Sequence, residues 1–124
     1  MKEGKADREA VPEAITAPLR AFMESRVLLT ALELDGFTAV GAGATTAAVA
    51  SACGADAGAT ERLLDALVAL GFLEKREGLF ANAPLAARFL AGGTPDDSRD
   101  ALEHNLSLWR RWSTLTDAVR AGHA

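Results

Sequence analysis

The chain has 124 residues, 49% of them apolar and 24% charged, with a formal net charge of −4. That length supports one domain whose core needs no metal or disulfide, and its single cysteine, Cys53, excludes an internal disulfide and suits a reducing compartment. No stretch approaches the roughly 20 apolar residues of a membrane span, the charged N-terminus has no apolar secretory core, and the acidic balance weakens any expectation of phosphate binding; a cytoplasmic protein is expected.

Residues 1–11, MKEGKADREAV, are polar and expected to fray, leaving 12–124 as the folded domain. Pro12 fits the first turn of a helix, where its missing N–H would be unpaired anyway, and the periodicity predicts a helix over 13–34. It opens with one broad apolar face, Ile15, Leu19, Phe22 and Met23. From Val27 onward, through Leu28, Leu29, Ala31, Leu32 and Leu34, it is apolar nearly all round. A helix apolar on every side is normally buried on every side. A helical domain this small covers one side only, so the other calls for a second chain or domain.

Asp35-Gly36 ends that helix, and 37–43 reads as a short connection. Thr45 or Thr46 caps a small helix over 47–53, closed by Gly54; its small apolar residues, Val49, Ala50 and Cys53, allow close packing on the next helix. That helix starts at Asp56, whose carboxylate can accept from free first-turn amides. Leu63, Leu64, Leu67 and Leu70 form one stripe along it, and Gly71 takes the exit position that favours a left-handed residue. Phe72-Leu73-Glu74-Lys75-Arg76 and Leu79-Phe80-Ala81-Asn82 then flank Glu77-Gly78, a tight-turn signal. Two short helices, a glycine and a hairpin make a mainly α fold, a winged helix-turn-helix with a small β-hairpin. Residues 84–90 form one or two turns, broken by Gly92-Gly93. Thr94-Pro95-Asp96-Asp97 reads as a capping box with acids at the positive helix end. The final helix carries Leu102, Leu106, Trp109, Trp112, Leu115 and Val119 as one long stripe.

Chemistry-bearing motifs are sparse. Gly41-Ala42-Gly43 has the look of a nucleotide-binding glycine pair, but such a loop needs a preceding strand, a following helix N-terminus and a third glycine; here Thr38-Ala39-Val40 is a poor strand and no βαβ unit is present, so a loop is expected. His104 lies on the last helix beside Glu103 with no cysteine or acid cluster at ligand spacing, and His123 falls at the expected frayed end, so structural or solvated roles are expected of both. Cys53 lies among small apolar residues, the setting of buried filler and not of a nucleophile. No self-contained active site is expected, and neither a bound cofactor nor a metal. A dimeric winged-helix regulator binding DNA is the alternative function. Against it, the recognition helix offers Thr60, Glu61, Arg62 and Asp65, one base against two acids, and the wing Glu74-Lys75-Arg76-Glu77 is neutral overall.

Several segments bear a family resemblance. The run Ser25-Arg26-Val27-Leu28-Leu29-Thr30-Ala31-Leu32-Glu33-Leu34, followed by Leu63-Leu64-Asp65-Ala66-Leu67-Val68-Ala69-Leu70-Gly71-Phe72-Leu73, resembles the N-terminal domain of S-adenosylmethionine-dependent O-methyltransferases. The likeness continues through Phe80-Ala81-Asn82-Ala83-Pro84-Leu85-Ala86 and ends with Trp112-Ser113-Thr114-Leu115-Thr116-Asp117-Ala118-Val119-Arg120-Ala121-Gly122. The resemblance implies an intertwined homodimer with long flanking helices, roofing the acceptor pocket of a catalytic methyltransferase domain in cis or trans. It implies a small-molecule acceptor, no nucleic acid and no membrane as partners, and S-adenosylmethionine held by the catalytic domain, whose counterpart would follow Gly122. The chain is then expected to be an excised domain or a stand-alone relative. The expected dimer interface is Leu19, Val27, Leu28, Leu32 and Leu106. Phe22, Met23, Trp109 and Trp112 are expected to line the acceptor pocket, with plain core packing as the competing role of the two tryptophans.

Overall fold

A computed structural model describes residues 10–123, so the fraying expected of the first nine residues falls outside the described residues. Helix α1 spans Glu13–Glu33. Pro12 is its N-cap, and the Pro12 carbonyl accepts from the amides of Ile15 and Thr16 at 2.9 and 3.1 Å. Asp35 then reverses the chain with a left-handed φ of 56°, and the next helix, α2 (Gly36–Val40), begins at once. A bare connection was expected here. Phe37 and Val40 are both fully buried, and two apolar side chains three residues apart reach the same core when the segment coils into a helical turn.

Helix α3 (Thr46–Cys53) is capped by Thr45, whose hydroxyl accepts from Ala48 N–H at 3.2 Å. Helix α4 (Ala57–Ala69) is capped by Asp56, accepting from Ala59 N–H at 2.9 Å. Along α4, Leu64 and Leu67 are buried and Leu63 and Leu70 half-buried. At Gly71 the φ is 88°, and the amides of Gly71 and Phe72 return to the carbonyls of Val68 and Leu67 at 3.0 and 2.9 Å. This double bond satisfies carbonyls that the helix end would leave open. Strands β1 (Leu73–Arg76) and β2 (Leu79–Asn82) pair antiparallel, Leu73 opposite Asn82 and Arg76 opposite Leu79. Glu77 and Gly78 between them have φ of 51° and 81°, the paired positive values that a two-residue hairpin turn requires. Ala44 extends this sheet by one residue, exchanging amide bonds with Phe80 at 2.9 and 2.8 Å.

After α5 (Pro84–Phe89) the chain departs twice from the expected course. Thr94 caps no helix, because its hydroxyl donates to the Arg88 carbonyl at 2.6 Å. Helix α6 starts only at Arg99, whose amide donates to the Asp97 carboxylate at 3.0 Å. The final stripe is also interrupted: α6 (Arg99–Trp112) stops, and α7 (Leu115–Ala121) starts anew. The hydroxyls of Ser113 and Thr114 donate to the carbonyls of Trp109 and Arg111, both at 2.8 Å, beside their own backbone amides, which reach the same carbonyls at 3.1 Å; side-chain back-bonding of this kind accompanies bends in helices.

The core collects Ala31 and Leu32 of α1, Phe37 and Val40 of α2, Val49 of α3, Leu64 and Leu67 of α4, and Leu73 and Phe80 of the hairpin. Leu32 is only 3% exposed. It belongs to the core of the single chain, in one cluster with Phe37 and Val40 of the α2 turn.

A polar clamp ties α6 to this body. Nη1 of Arg99 donates to both carboxylate oxygens of Asp35 at 3.0 and 3.1 Å, while Nε and Nη2 reach Asp97 at 3.0 and 2.9 Å. The planar guanidinium fork suits two carboxylates at once. A Cβ on Gly92 would stand 2.7 Å from Nη2 of Arg99, so a side chain there would push the guanidinium aside. Hydrogen bonds from Arg99 hold the Asp97 carboxyl below its ordinary value of 3.8.

Two outcomes follow for stability. Leu32→Ala should lower unfolding free energy in urea by about 2–5 kcal/mol, the cost of truncating a buried leucine, whatever the association state. Because the folded Asp97 pKa is depressed, its contribution is present above the ordinary value and lost as pH falls through the folded one. The stability gap between the natural chain and Asp97→Asn should therefore be constant near neutrality and shrink as pH drops below 3.8, read from chemical denaturation at stepped pH.

Candidate interface and acceptor-facing groove

The first half of α1 stands clear of the body. Between residues 13 and 25 no side chain is buried, and only Thr16 is half-covered. Ile15, Leu19, Phe22 and Met23 form a stripe there, each between 52 and 69% exposed. Their spacing places all four on one side of the helix. Val27 and Leu28 are half-buried against the core, and Leu106 is half-buried on α6.

Where α1 meets α6, an open groove of about 360 Å³ is lined by Ser25, Leu28, Leu29, Asn105, Leu108, Trp109 and Trp112. Trp109 is half-buried, with the Arg26 guanidinium 5.5 Å from its ring centroid. Arg26 also donates to Thr30 and Glu33, both at 3.2 Å, which fixes it over the indole. Trp112 is 69% exposed, so within this chain plain core packing does not account for it. Both tryptophans thus face one groove, while Phe22 and Met23 lie outside its lining, on the α1 stripe. The sequence reading missed Ser25, Leu29, Asn105 and Leu108. Leu29 and Leu108 were legible as apolar, but pairing across two helices far apart in the chain is not a periodic signal. The exposed Leu115 and Val119 of α7 add a separate apolar surface.

The residues weighed for other chemistry fall apart in space. Gly41-Ala42-Gly43 joins α2 to the one-residue Ala44 bridge, with no strand-to-helix turn, and so does not fit the phosphates of a nucleotide-type cofactor. His104 and His123 are exposed, and the described residues contain no cluster of metal-ligating side chains. Cys53 is half-buried, and burial, then the Asp35 charge, pushes its thiol pKa up, away from the reactive thiolate. The acids of α4 are engaged with the wing: Lys75 pairs with Asp65 at 3.3 Å and Glu61 at 3.9 Å, and its ammonium sits 4.9 Å from the Phe80 ring centroid. The wing's lysine is thereby turned back onto the domain. No helix of the described residues is long and apolar enough to cross a membrane.

A family model for the O-methyltransferase dimerisation domain matches residues 18–92, the span holding most of α1, the helix-turn-helix and the wing. The chain belongs to that family. Acetylserotonin O-methyltransferase of Mus musculus is 32% identical over 99% of this chain and 34% of its own length. The tetracenomycin polyketide synthesis 8-O-methyl transferase TcmO of Streptomyces glaucescens is 36% identical over 82% of this chain and 31% of its own. Among solved structures, human N-acetylserotonin methyltransferase in complex with SAM superposes with a TM-score of 0.77 at 31% identity, covering 94% of this chain and 36% of that one. PigF with SAH gives a TM-score of 0.77 at 28% identity, covering 91% and 38%. This dimerisation domain therefore spans about a third of the length of the curated relatives it matches. These relatives are O-methyltransferases, not transcriptional regulators, and the regulator alternative falls with them.

Proposed function

We propose that this dimerisation domain forms a homodimer and covers the acceptor pocket of a cytoplasmic, S-adenosylmethionine-dependent small-molecule O-methyltransferase, while carrying no transfer chemistry of its own. The supporting observation is the bare α1 arm with its exposed stripe of Ile15, Leu19, Phe22 and Met23. A helical arm of thirteen residues, about 20 Å long, is marginal in water without tertiary packing. Pairing with a second copy would remove the stripe from water at about 25 cal/mol per Å² of apolar area, and a two-fold axis would present the same face from both subunits. Leu19, Val27, Leu28 and Leu106 remain the interface residues in this reading, with Leu32 beneath them as support.

In this reading the cofactor belongs to a catalytic domain joined in cis or met in trans. This domain's part is to bind and shield. The groove between α1 and α6 is mostly apolar, with Ser25 and Asn105 at its polar edge, a lining suited to an aromatic or polycyclic acceptor. Trp109 and Trp112 supply flat walls, and Phe22 and Met23, carried on the arm, extend toward the partner subunit's groove. Nucleic acid and membrane have no place in this scheme, since the recognition helix spends its acids on Lys75.

The dimer is tested by sedimentation. The natural chain should run as a dimer at micromolar concentration, and Leu19→Asp or Phe22→Asp should give monomer or aggregate, because an unpaired charge in an apolar contact is costly. A stable natural monomer at that concentration would contradict the reading. The pocket is tested with the catalytic domain present: Trp112→Leu should raise acceptor KM or lower kcat while Tm changes little. Unchanged kinetics with a large Tm loss would assign Trp112 to packing.

A further inference from the structure

We propose that Arg99 is a positioning residue for the groove: its fork on Asp35 and Asp97 sets the pitch of α6 on α1 and, through α6, the placement of Trp109. The consequence for an acceptor rests on the reading above, but the placement itself does not.

Helix α6 buries no side chain completely. Leu102 packs against the core and Leu106, Leu108 and Trp109 are half-covered, a shallow apolar seam that leaves the helix free to slide or roll. Two guanidinium contacts hold the ends of this seam. At the start of α6, Arg99 reaches Asp35, just past the end of α1, at 3.0 and 3.1 Å. Ten residues on, about 15 Å along the axis, Trp109 meets Arg26 of α1 at 5.5 Å. The α1 anchors, Arg26 and Asp35, are nine residues apart. The two helices are therefore matched antiparallel, each giving one arginine to the other, and the groove opens beside the second contact.

Of the two contacts, the first carries the direction. Arg99 binds three acceptors on two segments: Asp97 in its own lead-in, Asp35 and, at 3.4 Å, the Thr38 hydroxyl. Thr38 in turn accepts the Gly92 amide at 2.9 Å and donates to Asp35 at 2.8 Å. The loop before α6, the α1–α2 corner and α6 itself are joined through one guanidinium plane. A displaced guanidinium leaves Asp35 and Thr38 in place and frees the start of α6 to roll, carrying Trp109 off Arg26.

The chain has two tryptophans and no tyrosine, so in a Trp112→Phe background Trp109 is the sole strong fluorophore. Three variants of the full chain are compared in that background: Arg99→Ala removes the fork, Gly92→Ala pushes it aside without removing charge, and Arg99→Lys keeps charge without the fork. Arg99→Ala and Gly92→Ala should each red-shift Trp109 emission and raise its acrylamide quenching constant, with far-UV circular dichroism and association state unchanged. Arg99→Lys should stay close to Arg99→Ala, because one ammonium cannot span three acceptors in a plane. Natural emission and quenching in folded Arg99→Ala and Gly92→Ala would overturn the proposal. So would full restoration by lysine, or loss of helix in both variants, which would make the clamp a support of the whole fold. No acceptor enters the measurement, so a failed acceptor reading would leave the Trp109 result standing.

Discussion

Helix α1 is longer than the body that packs on it. Its last turns, with Leu29, Ala31 and Leu32, are sunk among α2, α4 and the hairpin, and its first turns touch almost nothing. Everything else is arranged around that imbalance. The C-terminal half organises a small core in which Phe37 and Phe72 meet edge to face, their centroids 6.3 Å apart at 70°, a favourable aromatic geometry. The N-terminal half carries an apolar stripe, Ile15, Leu19, Phe22 and Met23, left exposed among the described residues.

The helix-turn-helix and wing pack against the buried end of α1. In a nucleic-acid reader the exposed side of α4 and the wing would be basic and free to meet phosphates. Here Lys75 is held by Glu61 and Asp65 and lies over Phe80, so the charges close an internal circuit. The same architecture can carry unrelated activities because function resides in what the surface presents. What this surface presents is apolar: the arm, the groove and α7.

Much of the fold was legible because its signals are local. The caps at Thr45 and Asp56, the exit at Gly71 and the turn at Glu77-Gly78 each depend on a few adjacent residues, and each stands where the sequence puts it. The failures are non-local or competitive. Nothing in the sequence around Asp35 announces that α2 will start there, since the reason is burial of Phe37 and Val40 by distant elements. Asn82, which donates to the Phe37 carbonyl at 2.8 Å across 45 residues, is equally silent. The break between α6 and α7 was hidden because an apolar stripe continues through it, while the hydroxyls of Ser113 and Thr114 turn back onto helix carbonyls beside their own amides. At the candidate site the tryptophans could be read and their groove could not, because a groove needs two helices brought together by packing.

Asp35 concentrates a conflict that most positions avoid. Its backbone adopts a left-handed φ of 56°, a conformation glycine takes without cost and other residues resist. Its side chain, however, accepts from Arg99 and Thr38 at once. Glycine there would relax the peptide but remove both bonds from Arg99 Nη1 to the carboxylate, leaving the guanidinium on Asp97 alone with a long contact to Thr38. Local ease and long-range connection pull this residue in opposite directions, which makes it a narrow gate in sequence space. A change at Asp35 is therefore felt at once in its own backbone and at Arg99 and Thr38, which lie on other elements.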